Sequence, residues 1–199
     1  MKIIGITGPI GSGKSYVSER LLAKGIPVID SDKVYHSLIA APSPLVDALV
    51  LEFGDSIVNS HGGIDRRRLA PIVFGDAERL ARLNEITHTA VLCALREQTQ
   101  AYEQEGTSLL AVQVPLMFES GYDASCDTVI CVVADDEVRV QRICSRDSCS
   151  ADEAKKRIKN QKDTSFYIAN SAKTVYNNGG EDIDAQLDRI LGEILEKRT

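Results

Sequence analysis

The chain has no Cys-x-x-Cys pair, only three histidines, no apolar run of membrane-spanning length and no excess of positive charge. Each absence removes a class of function. Its five cysteines, Cys93, Cys126, Cys131, Cys144 and Cys149, never fall in zinc-like spacing with the histidines, so no zinc site is expected. An odd cysteine count suits free thiols in a reducing cytoplasm better than a disulfide framework. The net charge of −6 offers no generic attraction to nucleic acid or anionic lipid, so neither is expected as a partner and any anion must meet a local basic cluster. The Asp-x-x-Gly pattern of guanine-nucleotide switches is absent, and in "NQKD", residues 160–163, the lysine stands one place too late for Asn-Lys-x-Asp. There is no internal repeat.

What is present suits one well-buried core with a small appended lobe: 199 residues, 43% hydrophobic and 26% charged. The opening "MKIIGITGPIG" is read as a strand running into a glycine loop rather than as a targeting signal. Residues 2–7 predict a buried strand, and residues 14–24 a helix with Val17, Leu21 and Leu22 on one face. Further strands are expected at residues 25–30, 108–115, 127–134 and 173–177, two of them apolar enough to be covered on both faces. Strands alternating with helices imply an α/β fold, a five-stranded parallel sheet flanked by helices. Residues 33–106 carry helical patterns without a strong strand signal and are read as a helical insertion. Residues 147–163 are read as a charged helical lid, opened by a capping box of Ser150 and Glu153. A closing helix places Ile183, Leu187, Ile190, Leu191, Ile194 and Leu195 on one stripe.

The strongest chemical signal is "GPIGSGKS", residues 8–15, which fits Gly-x-x-x-x-Gly-Lys-Ser at every fixed position. Gly8, Gly11 and Gly13 allow backbone N–H groups to turn around an anion, the following helix adds its positive end, Lys14 supplies a point charge, and Ser15 offers a hydroxyl to Mg²⁺. Next comes "DSD": in an extended segment Asp30 and Asp32 point the same way, at the strand end where open parallel sheets put their ligands. One carboxylate can accept a proton from an attacking hydroxyl and the other can support the metal, although a helix cap explains many such triplets. Arg139, Arg142 and Arg146 share one helical face and suit triphosphate oxygens; a solvated basic face is equally compatible with the spacing. In the insertion, Arg66, Arg67 and Arg68 could hold an acceptor's phosphate, whereas His88 taken alone reads as a structural histidine.

In this order the motifs resemble those of the dephospho-coenzyme A kinase family, relatives of the nucleoside monophosphate kinases. The family's opening is similar to "IIGITGPIGSGKS", its Asp-Ala-Asp to "DSD", and its insertion pattern to Asp65, Arg66, Leu69, Val73 and Phe74. Its His-Pro matches His88 and Thr89, its Pro-Leu-Leu-Phe-Glu matches "PLMFE" at residues 115–119, and its lid matches "RDSCSADEAKKRIKNQ". Departures are Pro9 for Gly, Ser31 for Ala, Met117 for Leu, Thr89 for Pro, Lys173 for a common Asp, and Gln113 where many relatives carry an acid. The resemblance implies a P-loop kinase of the cytoplasm, monomeric or weakly self-associating, that uses ATP and Mg²⁺ to phosphorylate the ribose 3′-hydroxyl of dephospho-coenzyme A. It further implies ATP contacts from Gly8, Gly11, Ser12, Gly13, Lys14, Ser15, Tyr16 and Arg142, and metal contacts from Ser15 and Asp30. Acceptor contacts fall to Asp32, Arg66, His88, Pro115 and Leu116; Asp32, Lys14, Arg139, Arg142 and Arg146 are the catalytic set. Two alternatives stay open at this point. One is a kinase for another small acceptor, such as a nucleoside monophosphate or shikimate; the other is an ATP-dependent switch acting on a protein.

Overall fold

The apolar runs become strands β1 (Lys2–Thr7), β2 (Val28–Asp30), β3 (Leu109–Gln113), β4 (Thr128–Val133) and β5 (Lys173–Tyr176) in a computed structural model that describes residues 1–196. They form one parallel sheet in the order β2-β3-β1-β4-β5, with Ile4 of β1 opposite Ala111 on one side and Thr128 on the other. The switch between inward and outward strand order lies beside β1, so the crevice at its carboxyl end is where a ligand is expected.

The period of two in the strands divides the core. Ile4, Ile6, Leu109, Ala111, Ile130, Val132 and Val175 pack with Val17 and Leu21 of α1 (Lys14–Ala23) and with Ile183, Leu187, Ile190, Leu191 and Ile194 of α9 (Ile183–Glu196). On the opposite face Cys131 and Val133 meet Tyr167 of α8 (Thr164–Asn170) and the half-buried rings of Phe118 and Phe166, which stack edge to face at 5.6 Å. Leu22 and Leu195 do not join the buried stripes and are 51% and 46% exposed. Each directly follows a buried residue, Leu21 or Ile194, and a step of about 100° along a helix turns the next side chain off that face. The second strand is shorter than the sequence suggests because Gly25, at φ +80°, closes α1, with its N–H donating to Leu22 and that of Ile26 to Leu21. Lys173, at the start of β5, pairs with Glu193 of α9.

Between β4 and β5 lie α6 (Asp136–Asp147), α7 (Ala151–Lys159) and α8. Asp135 is the N-cap of α6, and Ser150 with Glu153 forms the expected capping box of α7. That box holds the Glu153 carboxyl below the usual range, chiefly through its bond from the Ser150 N–H.

Residues Asp30–Gln104 form a separate compact unit, distinct from the one made by Met1–Ile29 and the chain from Glu105. It contains α2 (Ser31–Ala40), α3 (Pro44–Phe53), α4 (Arg66–Val73) and α5 (Ala77–Gln104) around Ile39, Leu45, Val46, Leu49, Ile57, Ile64, Leu69 and Val73. Ser43 and Asp65 cap α3 and α4 with their side chains, and Gly63 is pressed so close to Ala40 that a Cβ would lie 2.4 Å from its carbonyl oxygen. Among the described residues no single helix is long and apolar enough to cross a membrane.

Candidate active site

The turn after β1 is held open by its surroundings as much as by its own sequence. Gly8 has φ +140°, and a Cβ there would meet the Val132 carbonyl oxygen at 2.1 Å. At Gly11 (φ +78°) a Cβ would lie 2.9 Å from the Arg139 carbonyl oxygen, and at Gly13 (φ +92°) it would lie 2.1 Å from Asn177 Nδ2. Thus β4, α6 and the segment after β5 each press against one glycine, and a side chain at any of them would push the loop away from its support. Lys14 Nζ donates to the carbonyl oxygens of Gly8 and Pro9 at 2.8 and 3.1 Å. Ser15 and Tyr16 are exposed in the first turn of α1, and Ser12 is fully buried.

Two of the three predicted arginines converge on this loop. Arg139 is 2% exposed; its Nε donates to the Ile10 carbonyl oxygen at 2.9 Å and its Nη1 to Asp136 at 2.6 Å. Arg142 Nη1 donates to the Gly11 and Ser12 carbonyl oxygens at 3.4 and 3.3 Å, and Nη2 donates to Asn177 Oδ1 at 3.3 Å. Arg146, one turn further along α6, forms a two-pronged pair with Asp147 and is well exposed. Its bond holds the Asp147 carboxyl below the usual range, with Arg157 adding to the effect. Spacing alone put the three on one face; the tertiary structure commits only the first two to the loop. Among the described residues Ser12 Oγ and Arg139 Nη2 are buried without a hydrogen-bond partner. A buried hydroxyl and a buried guanidinium nitrogen with unmet capacity beside a glycine loop suit phosphate oxygens as acceptors.

Asn177 was not singled out by any motif. It is 4% exposed, donates from Nδ2 to the Ser12 carbonyl oxygen at 3.0 Å and accepts from Arg142, so one amide ties the loop to α6. The next turn is organised by Glu181, whose Oε2 accepts the N–H groups of Asn178, Gly179 and Gly180 at 2.6, 3.0 and 3.3 Å. Desolvation opposes ionisation of Glu181, but these backbone donors outweigh it and hold the carboxyl below the usual range. Gly13, Tyr16, Arg142, Asn177, Gly179 and Glu181 line a cavity of about 420 Å³ at the end of the loop. A tyrosine ring and a guanidinium in one lining offer surfaces on which a nucleobase can stack.

On the other side of β1, Gln113 is buried and accepts from Ser18 of α1 at 2.8 Å. Pro115 is half-buried and its carbonyl oxygen accepts from Thr7 Oγ1 at 3.4 Å. Leu116 is 42% exposed and, with Glu119, Asn160, Gln161, Lys162 and Tyr167, lines a second cavity of about 330 Å³. Gln161 reaches out of this group to accept the Ile10 N–H at 2.7 Å. Gln161 closes the lid-like stretch "RDSCSADEAKKRIKNQ", but nothing in the sequence shows that its side chain reaches the glycine loop.

In the helical unit the extended reading of "DSD" is corrected. Asp30 ends β2 with φ −108° and ψ 114°, but Ser31 already begins α2, so the two carboxylates do not share a strand face. Asp30 is the N-cap, its Oδ1 accepting the N–H groups of Asp32 and Lys33 at 2.9 and 3.4 Å. Three polar residues at a strand end are better satisfied by starting a helix than by extending the strand. Asp32 lies exposed in that helix's first turn. Arg66, Arg67 and Arg68 are exposed in the first turn of α4; Arg68 also donates to the Val58 carbonyl oxygen at 3.0 Å. His88 is exposed on α5.

The dephospho-CoA kinase family model matches residues 2–182. A dephospho-CoA kinase from Shouchella clausii is 35% identical over 176 residues, covering 88% of this chain and 89% of that protein. Among solved structures, TT1252 from Thermus thermophilus superposes with a TM-score of 0.80 at 32% identity, covering 100% of this chain and 98% of that one. Dephospho-CoA kinase from Campylobacter jejuni does so with a TM-score of 0.73 at 27% identity, covering all of both chains.

Proposed function

The chain belongs to the dephospho-CoA kinase family, and on that premise we propose how its residues divide the transfer of the ATP γ-phosphoryl group to the ribose 3′-hydroxyl of dephospho-coenzyme A. The observation that carries the assignment of roles is the wedged glycine loop with its buried Ser12 hydroxyl and Arg139 guanidinium, both with hydrogen-bonding capacity to spare. The backbone N–H groups from Gly11 to Ser15 cradle the triphosphate, and Lys14 exchanges its bonds to the Gly8 and Pro9 carbonyls for β- and γ-phosphate oxygens. Arg139 and Arg142, already anchored on the loop, neutralise charge that spreads over the γ-phosphate oxygens during transfer. Arg146 joins them only by exchanging Asp147 for phosphate, a movement assigned to the lid at residues 147–163. The nucleobase occupies the cavity beside Tyr16 and Arg142.

Ser15 and Asp30 are the residues that would hold Mg²⁺, an ion that, when bound, draws charge from the phosphates. Among the described residues no three His, Cys, Asp or Glu side chains cluster as a metal cage. Asp32 is assigned the proton of the attacking 3′-hydroxyl. The unit Asp30–Gln104 is assigned the acceptor, with Arg66 and His88 as polar contacts; Pro115 and Leu116, outside that unit, are the apolar contacts that the family resemblance implies. A monomeric or weakly self-associating cytoplasmic enzyme completes the reading.

The test is Asp32→Asn. It should leave ATP affinity intact and lower turnover by roughly 10²- to 10⁴-fold, the usual worth of a positioned general base. Near-normal turnover removes Asp32 from that role. An acceptor screen with radiolabelled ATP against dephospho-coenzyme A, AMP and shikimate checks the acceptor assigned to the helical unit.

A further inference from the structure

Both backbone polar groups of Ile10, in the glycine loop, are held by distant side chains. Its N–H donates to Gln161 Oε1 at 2.7 Å, and its carbonyl oxygen accepts from Arg139 Nε at 2.9 Å. Pro9 precedes it and has no N–H, so between Gly8 and Gly11 the Ile10 N–H is the sole backbone donor. The Pro9 carbonyl accepts from Ser12 N–H at 3.3 Å and from Lys14, which leaves the Gln161 bond as the tie that fixes the outer half of the loop from the lid side.

Gln161 is itself anchored to the lid. Its N–H donates to Ile158 in the last turn of α7 at 3.2 Å, and three residues later Thr164 Oγ1, at the start of α8, accepts from Arg139 Nη1 at 3.4 Å. The short segment joining α7 to α8 therefore grips the loop and the α6 arginine together. Any displacement of α7 draws on the Ile10 N–H, and any change in the loop draws on α7.

We propose that Gln161 is a positioning residue for ATP: by accepting the Ile10 N–H it sets the loop conformation that receives the phosphates and makes that conformation depend on the placement of the lid. Gln161 need not touch the reacting atoms. The inference rests on the loop binding ATP phosphates, and not on the identity of the acceptor. It also gives Pro9 a role, since a proline narrows the outer turn's conformations and removes a competing donor, so that a single side-chain acceptor suffices to fix it.

Gln161→Met keeps length and bulk but removes the acceptor. One neutral hydrogen bond lost from a preorganised site should weaken ATP by about three- to tenfold. The readouts are the dissociation constant of a non-hydrolysable ATP analogue by titration calorimetry, which needs no acceptor, and KM for each substrate separately. The expected pattern is weaker analogue binding and a raised ATP KM, with acceptor KM within twofold and Tm within about 2 °C of the parent. Gln161→Glu replaces the amide oxygen by a carboxylate oxygen that still accepts the Ile10 N–H but adds charge near the triphosphate. Its deficit relative to the parent should shrink as ionic strength rises, whereas that of Gln161→Met should not. Unchanged analogue affinity in Gln161→Met overturns the proposal. So does an equal rise in both KM values accompanied by a fall in Tm, or a Glu variant whose deficit persists at high salt.

Discussion

Replacing Asn177 by alanine tests whether the phosphate loop is held from outside. The side chain makes two bonds, a buried donation to Ser12 O at 3.0 Å and a part-buried acceptance from the Arg142 guanidinium at 3.3 Å, and the residue is 4% exposed. A neutral bond is worth about 1 kcal/mol and one to a charged group about 1.5 kcal/mol or more, so the loss should total roughly 2–3 kcal/mol. For a chain of this size each kcal/mol moves Tm by about 2–4 °C, which predicts a fall of roughly 5–10 °C by calorimetry. Function should suffer as well, because Gly13 loses the amide packed against its Cα and Arg142 loses its tether to the loop. The ATP KM should therefore rise more than the acceptor KM. Asn177→Asp separates the two bonds: it keeps an acceptor for Arg142 but sets a carboxylate oxygen against the Ser12 carbonyl. If Asn177→Ala leaves both Tm and ATP KM at parental values, the loop holds its shape unaided and the wedged-loop argument fails.

Acid stability offers another check. The Arg20 bond, with Lys24 nearby, holds the Asp184 carboxyl below the usual range, so this contribution is complete above the ordinary carboxylate range and is lost as pH falls through the depressed folded value. Asp184→Asn should lower Tm modestly at pH 7, and the gap from the parent should close as the pH drops below about 4 in a calorimetric series. Thiol labelling gives a different readout: Cys93 is exposed on α5, whereas Cys131 is buried and burial pushes the Cys126 thiol up to about 12. Brief alkylation at pH 8 followed by peptide mass mapping should find Cys93 modified well before Cys126 and Cys131; equal rates would contradict that packing.

Sequence alone was sufficient for the parts governed by local rules. Residues 2–7 mark a buried strand, the nearly continuous apolar runs at residues 108–115 and 127–134 mark strands covered on both faces, and the Ser150–Glu153 box marks the start of α7. The glycine motif, read with its flanking strand and helix, identifies a phosphate loop because the required backbone angles restrict which residues can stand there. Three things needed the tertiary structure. Helical spacing aligned Arg139, Arg142 and Arg146, but only contact with the loop separates the first two from Arg146, which Asp147 takes. "DSD" fits both an extended pair and a strand end capping a helix, and the choice falls on Asp30 satisfying the free N–H groups of α2. Asn177 and Gln161 act on the loop across 165 and 151 residues of chain. No local pattern encodes such bonds, because they arise only when the fold places the end of β5 and the segment joining α7 to α8 beside the turn that follows β1.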